Sequence, residues 1–192
     1  EDCACRSAAS PRGSALPEDG RTSMRITVIY GDGIRVLSVD TMYPMTTPPR
    51  VTLFTDGACL GNPGPGGWAY ILRNGSEEIE NSGGELDTTN QRMEVTAVLR
   101  ALETLEEPTT VSIYADSQYV TKGLTEWMDG WLVKGWKNSS KKPVKNQDLW
   151  QQLAILRETH DISTHWVKGH AGHSENERCD ELASAAAEAI SR

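Results

Sequence analysis

Residues Val51–Leu72 read VTLFTDGACLGNPGPGGWAYIL, and this stretch decides the fold. Its first eight residues, Val51–Ala58, are apolar and β-branched enough to predict a strand. The run Gly61–Gly67 (GNPGPGG) is dense in turn residues and predicts the turn that ends it. WAYILR, Trp68–Arg73, predicts a second strand, and Asn74-Gly75 is a tight-turn pair. EEIENSGGEL, Glu77–Leu86, then predicts a third strand, so the three form an antiparallel meander. Asp56 lies inside the first strand among apolar neighbours, where an unpaired carboxylate is costly.

Downstream the pattern changes period. Thr88 or Thr89 can cap a helix whose apolar face is supplied by Met93, Val95, Ala97, Val98, Ala101, Leu102 and Leu105. VSIYA (Val111–Ala115) predicts a short buried strand, after which Ser117 opens a helix. Thr125–Trp131 reads as helical, Gly135–Asn146 as a polar basic loop, Gln147–Thr159 as a helix and Ile162–Val167 as a strand. Ser174–Ile190 predicts a terminal helix. A meander followed by alternating helices and strands indicates an α/β fold with a mixed sheet.

Residues 1–50 read differently. Glu1–Ser23 is rich in Ser, Ala, Gly, Pro and Arg without apolar periodicity, which predicts disorder. Arg25–Asp40 alternates about a Gly-Asp-Gly that suits a hairpin. This leader is expected to stand outside the functional unit, and some or all of it to be foreign to the working protein. The expected division is thus a leader over 1–50 and a catalytic domain over 51–192.

The whole chain has 192 residues, 38% of them hydrophobic and 24% charged, which suits one globular domain rather than two. No apolar run approaches the roughly 18 residues of a membrane span, and no secretory signal is visible. The four cysteines, Cys3, Cys5, Cys59 and Cys179, form neither a C-x-x-C zinc pattern nor a disulfide framework. A reduced, cytoplasmic, monomeric protein without membrane contact is expected.

The net charge of −8 argues at first against a polyanionic partner. Its distribution reverses that reading. From Lys122 to Lys145 six lysines face only Glu126 and Asp129, a local balance of +4, whereas nine acidic residues between Glu77 and Glu107 face only Arg92 and Arg100. One basic segment would meet the polyanion.

Asp56, Glu94 beside the helix's apolar face, Asp116 at the end of a strand and Asp180 in the terminal helix are the candidate catalytic carboxylates. Singly, each is as well explained as a cap or a solvated charge. Together with their surroundings they are not. TDGACLGNPGPGGWAYIL, TTNQRMEVTAVLRALE, ADSQYV, KKPVKNQDLW and WVKGHAGHSENERCDELA occur in this order over residues 51–192. This set closely resembles the bacterial ribonuclease H type I family. The resemblance implies a ribonuclease H-like fold, with a five-stranded mixed sheet of three antiparallel strands followed by two parallel ones, flanked by helices. It further implies that the four carboxylates converge to hold two Mg²⁺ ions with substrate bound, Mn²⁺ being a possible substitute. Such ions prefer oxygen ligands and relieve the repulsion of converging anions. The implied partner is an RNA–DNA hybrid duplex, whose RNA strand is hydrolysed to 5′-phosphate products.

His170, in the glycine-flanked GHAGH loop, is by resemblance the histidine that assists proton transfer or product departure, because a histidine side chain exchanges protons near neutral pH. Glu177 carries two readings: the last residue of an S-x-x-E capping box opened by Ser174, and an acidic residue near the metal site. Cys59, Asn62, Asn90, Gln91 and Gln118 are implied to lie along the hybrid's groove. Thr89, Arg92, Trp127, Trp131 and Trp150 are implied to lie along the DNA strand, with Trp150 expected to be mainly structural. Lys134 and Lys137 begin the basic protrusion, where Leu132 and Val133 stand at positions often basic in the family. The rival readings are a hybrid-binding module with weak or no catalysis and a transposase- or integrase-type nuclease core; the complete carboxylate set disfavours the first and the VKGHAGH loop the second.

Overall fold

The structure is a computed structural model that describes the backbone of two strands, Arg25–Tyr30 and Gly33–Ser38, and residues 48–192 in full. The chain divides into two units, 1–47 and 48–192. In the first, strands β1 (Arg25–Tyr30) and β2 (Gly33–Ser38) pair antiparallel with Ile29 opposite Ile34 and Tyr30 opposite Gly33. The expected disorder of Glu1–Ser23 falls outside the described residues.

The second unit is built on a five-stranded sheet ordered β5-β4-β3-β6-β7. Strands β3 (Arg50–Cys59), β4 (Gly64–Asn74) and β5 (Glu77–Thr88) form the meander. Strands β6 (Thr110–Ala115) and β7 (Asp161–Trp166) add in parallel, β6 against β3 and β7 against β6. The mixed sheet expected from the sequence is therefore present. Its helices are α1 (Asn90–Leu102), α2 (Gln118–Lys122), a π-helical turn over Gly123–Trp127, α3 (Met128–Val133), α4 (Gln147–Thr159) and α5 (Ser174–Ile190). Among the described residues no helix is long and apolar enough to cross a membrane.

The strand period sets the two faces. Val51 and Leu53 of β3, Tyr70 and Leu72 of β4, and Val111 and Ile113 of β6 join α1 and α4 in one buried cluster. Ala69 and Ile71 alternate with the β4 pair and are also buried, so they face the other side, where α5 lies. Cys179, Ala183 and Ala187, one helical turn apart, form the inner stripe of α5. That helix comes very close to the sheet: a Cβ on Gly67 would stand 2.1 Å from the Ala183 carbonyl oxygen. Each fully buried leucine or valine of these layers stabilises the fold by about 1.5–3 kcal/mol.

Three local expectations are corrected. The glycine-rich run 61–67 is a turn only in its first part, because β4 already begins at Gly64 and pairs with β5 through an irregularity between Gly64 and Gly66. A glycine's missing side chain is what this needs: a Cβ at Gly66 would lie 2.9 Å from the Ala58 carbonyl oxygen. The helix expected over Thr125–Trp131 starts as a wider π-helical turn, at whose first residue, Gly123, the Trp150 indole packs 2.2 Å from where a Cβ would be. Finally, His173 rather than Ser174 precedes the first residue of α5, without a side-chain cap. Ser174 donates to Glu175 instead, and Glu177 reaches back to accept the Gly172 N–H at 3.0 Å. The capping box is thus absent, although Glu177 still ties the loop to the helix.

Candidate active site

Four elements deliver the four carboxylates to one end of the sheet. Asp56 comes from β3 and is only 9% exposed. Next to it, Gly57 lets α1 cross the strand closely, for a Cβ there would lie 2.3 Å from the Glu94 amide nitrogen. The crossing sets Glu94 beside Asp56. Asp116 follows the last residue of β6, and Asp180 projects from α5, directly after the buried Cys179.

Electrostatics register the convergence. Burial raises Asp56 to about 8, helped by the negative charges of Asp116, Asp180 and Glu94 and opposed by the Gly57 N–H that its Oδ1 accepts at 2.7 Å. Burial raises Glu94 to about 7, with Asp116 adding to the effect. Hydrogen bonds resist that rise: the Ser117 hydroxyl donates to Glu94 Oε2, and the Asn90 amide donates to Oε1 at 2.9 Å. Asp116 is likewise raised, by burial and by Asp180. Asp56 and Glu94, at about 8 and about 7, are incompletely ionised near neutrality unless cations offset them.

Among the described residues no group of three or more His, Cys, Asp or Glu side chains is already drawn together closely enough to hold a metal ion. The donors are nevertheless hard oxygens around a shared space. That set fits Mg²⁺, which takes few protein ligands and keeps water or phosphate oxygens for the rest.

His170 is 81% exposed and its Nδ1 is 4.0 Å from Asp180 Oδ2. Its φ of 52° is in the left-handed region, uncommon for a residue with a side chain and frequent at functional loops. Glu177 is exposed and occupied with the Gly172 amide.

The residues expected along the hybrid separate into groups. Asn62, Thr89 and Gln91 line a cavity of about 390 Å³ together with Lys145 and Asn146. Thr89 also caps α1, accepting the Arg92 N–H at 3.3 Å. Arg92 is engaged by Glu85 and Asp148. Asn90 turns its amide onto Glu94, so its side chain serves the carboxylates as well as the groove. Cys59 points its thiol at the Gly64 and Thr88 carbonyls, 3.5 and 3.6 Å away. Gln118 is exposed at the start of α2, and Lys134 and Lys137 are exposed beyond α3. Trp127 is 36% exposed, while Trp131 packs on the core and on Trp150, ring centroids 5.3 Å apart. Trp131 therefore has a structural task that its sequence context did not reveal. Trp150 is fully buried and donates to the Tyr119 hydroxyl at 2.9 Å, as a structural tryptophan should.

Sequence reasoning missed Ser117 as a partner of Glu94. Its position next to Asp116 was visible, but the contact spans 23 residues and exists only once α1 lies on β3.

The family model described as RNase H matches residues 48–188, nearly the whole of the second unit. This chain belongs to the RNase H family. Ribonuclease H of Chromobacterium violaceum is 56% identical over 147 residues, covering 76% of this chain and 100% of the relative. That of Rhodospirillum rubrum is 61% identical over 134 residues, covering 70% and 81%. The structure of LC9-RNase H1, described as a type 1 RNase H with the type 2 active-site motif, aligns at a TM-score of 0.67 with 31% identity, covering 76% of this chain and 75% of that one. LC11-RNase H1 in complex with RNA/DNA hybrid aligns at 0.56 with 23% identity, covering 72% and 97%, a likeness of fold alone. The chain is thus an enzyme, a ribonuclease H of type I, and the family's activity is on RNA–DNA hybrids.

Proposed function

We propose that residues 48–192 hydrolyse the RNA strand of RNA–DNA hybrids endonucleolytically, with two metal ions, leaving 5′-phosphate and 3′-hydroxyl ends. The observation that carries this reading is the convergence of Glu94, Asp116 and Asp180 on the buried Asp56, which is raised to about 8. In this reading the four carboxylates hold Mg²⁺, with Mn²⁺ as a substitute. Bound there, the ions would polarise the scissile phosphate and supply an ionised water in line with the departing oxygen.

The chain's own residues do the rest. Ser117 and Asn90 fix the Glu94 carboxylate by a hydrogen bond to each oxygen. His170, exposed and opposite Asp180, can deliver a proton from its ring nitrogen to the 3′-oxygen that departs as the P–O bond breaks, and so assist product departure. Small polar groups, Asn62, Gln91 and Gln118 with Asn90, offer donors and acceptors to the 2′-hydroxyl that separates RNA from DNA. Cys59 borders the same groove. Thr89 and its cavity suit a backbone phosphate of the opposite strand, with Trp127 and Trp131 taken to lie along that strand and Lys134 and Lys137 to meet further phosphates. Glu177 acts through the loop that carries His170. A cytoplasmic monomer, with Cys59 and Cys179 as free thiols, completes the reading.

Matched hybrid, double-stranded RNA, double-stranded DNA and single strands, each with Mg²⁺ or EDTA, provide the test. Cutting restricted to the RNA of the hybrid, and lost with EDTA or Asp56→Asn, is expected. Hybrid binding without cutting would leave a binding module, and comparable cutting of double-stranded DNA would overturn the substrate assignment.

A further inference from the structure

The chain leaving β7 follows the end of β6 in three successive contacts, two of them on Asp116 itself. Trp166, the last residue of β7, is 52% exposed, yet its indole N–H donates to the Asp116 carbonyl oxygen at 2.8 Å. Val167 then continues the parallel ladder by donating its N–H to the Ala115 carbonyl at 3.1 Å. Gly169 passes under the carboxylate itself: a Cβ there would lie 2.5 Å from Asp116 Oδ2 and 3.4 Å from its Cγ. One residue later the same segment delivers His170 in its left-handed conformation.

The Trp166 and Gly169 contacts bear on different parts of Asp116. Trp166 holds its backbone from outside the sheet, in a place where the strand has ended and the ladder no longer fixes the peptide. Gly169 leaves room for the carboxylate to stand where it does. An alanine at 169 meets no backbone within 4 Å among its three nearest neighbours; all three atoms belong to the Asp116 side chain. The carboxylate is therefore what would yield, by rotating away.

We propose that Trp166 and Gly169 are positioning residues for the metal-holding carboxylate of Asp116, the first through a hydrogen bond to its carbonyl and the second by its missing side chain. This rests on the assignment of Asp116 to the metal site under Proposed function. Groups that orient a metal ligand in this way change affinity or rate by about 10–100-fold when removed.

Trp166→Phe keeps a ring and removes the donor; Gly169→Ala adds one methyl group. For each variant, kcat and KM on a hybrid, the Mg²⁺ dissociation constant of the free protein by titration calorimetry, and Tm in EDTA are measured. The expected result is a kcat about tenfold lower, KM within about twofold of the parent, and Mg²⁺ binding about tenfold weaker. For Gly169→Ala the metal-free Tm stays at the parent value. Unchanged kcat and unchanged Mg²⁺ affinity in either variant would overturn the role of that residue, as would a lowered Tm with parental Mg²⁺ affinity. Should Trp166→Phe fail to fold, Trp166→His, which retains an N–H donor, replaces it: recovery of folding and Mg²⁺ affinity supports the proposal, and recovery of folding alone rejects it. Asp116→Asn separates this from the underlying assignment. If that variant keeps parental Mg²⁺ affinity and activity, the assignment of Asp116 is what fails.

Discussion

Asp56 carries its proton to about pH 8 in the metal-free protein, against the 3.8 of a free aspartate. The native chain therefore holds a proton that the unfolded chain releases near pH 4. A group raised in this way contributes stability that is fully present below its unfolded value and is lost as pH climbs to about 8. Asp56→Asn has no charge to bury and escapes that loss. In urea melts with EDTA, the variant should gain on the parent by about 1–3 kcal/mol between pH 5 and pH 8.5 while being inactive at both. An advantage that does not change with pH would mean that Asp56 ionises freely in the fold. The same protons compete with metal. Because Asp56 and Glu94 sit at about 8 and about 7, the parent's Mg²⁺ affinity, followed by calorimetry, should rise steadily from pH 6 to pH 8.5.

At the scale of elements, the crossing of α1 over β3 at Gly57 controls the site. The atoms facing position 57 are the Glu94 nitrogen and the Met93 carbonyl carbon, both backbone and unable to step aside. Gly57→Ala should cost about 2–3 kcal/mol in a denaturant melt and depress activity beyond what the lost fold explains. Gly130 in α3 is the matched control, with nothing within 4 Å of its Cβ position. Gly130→Ala should raise stability by about 0.5–1 kcal/mol through helix propensity alone and leave activity intact. These two glycines look alike in sequence, and only the neighbour across the gap distinguishes them. The same limit explains what was legible beforehand. Strand alternation in Val51–Ala58 and Trp68–Arg73, and the apolar spacing of α1, are local properties, so the meander and its first helix could be read directly. The π-helical turn at Gly123, the Ser117–Glu94 bond and the Trp166–Asp116 bond depend on partners 23 to 50 residues apart in the chain. The capping box failed for a related reason: Ser174 turns to Glu175, which pairs with Arg73 of β4, and Glu177 accepts the Gly172 N–H, contacts that no helix-start pattern encodes. The identities of the four carboxylates came from motif resemblance, whereas the burial of Asp56 and the repulsion it meets from the other three came only with the fold.

For the whole molecule, charge is divided rather than balanced. A net −8 coexists with the lysine-rich stretch from Lys122 to Lys145, so attraction to a duplex is confined to one region. Leu132 and Val133 interrupt that region where α3 ends, 44% and 88% exposed. Replacing both by lysine should steepen the fall of hybrid affinity with salt by about one unit of slope for each new phosphate contact. Identical slopes before and after would show that this end of α3 does not meet the duplex. Activity on short hybrids at low salt should change less, since the carboxylates lie elsewhere.

The acidic part of the surface has a consequence of its own. Strand β5 is an edge of the five-stranded sheet and exposes Ile79 at 55% and Leu86 at 65%. Glu77, Glu78, Glu80, Glu85 and Asp87 are spaced along the same strand. A long edge with free backbone groups invites another such edge, and like charges keep the two apart. Colloidal stability is therefore electrostatic here, and the salt that loosens a hybrid also screens the repulsion that keeps copies of the protein from adding strand to strand.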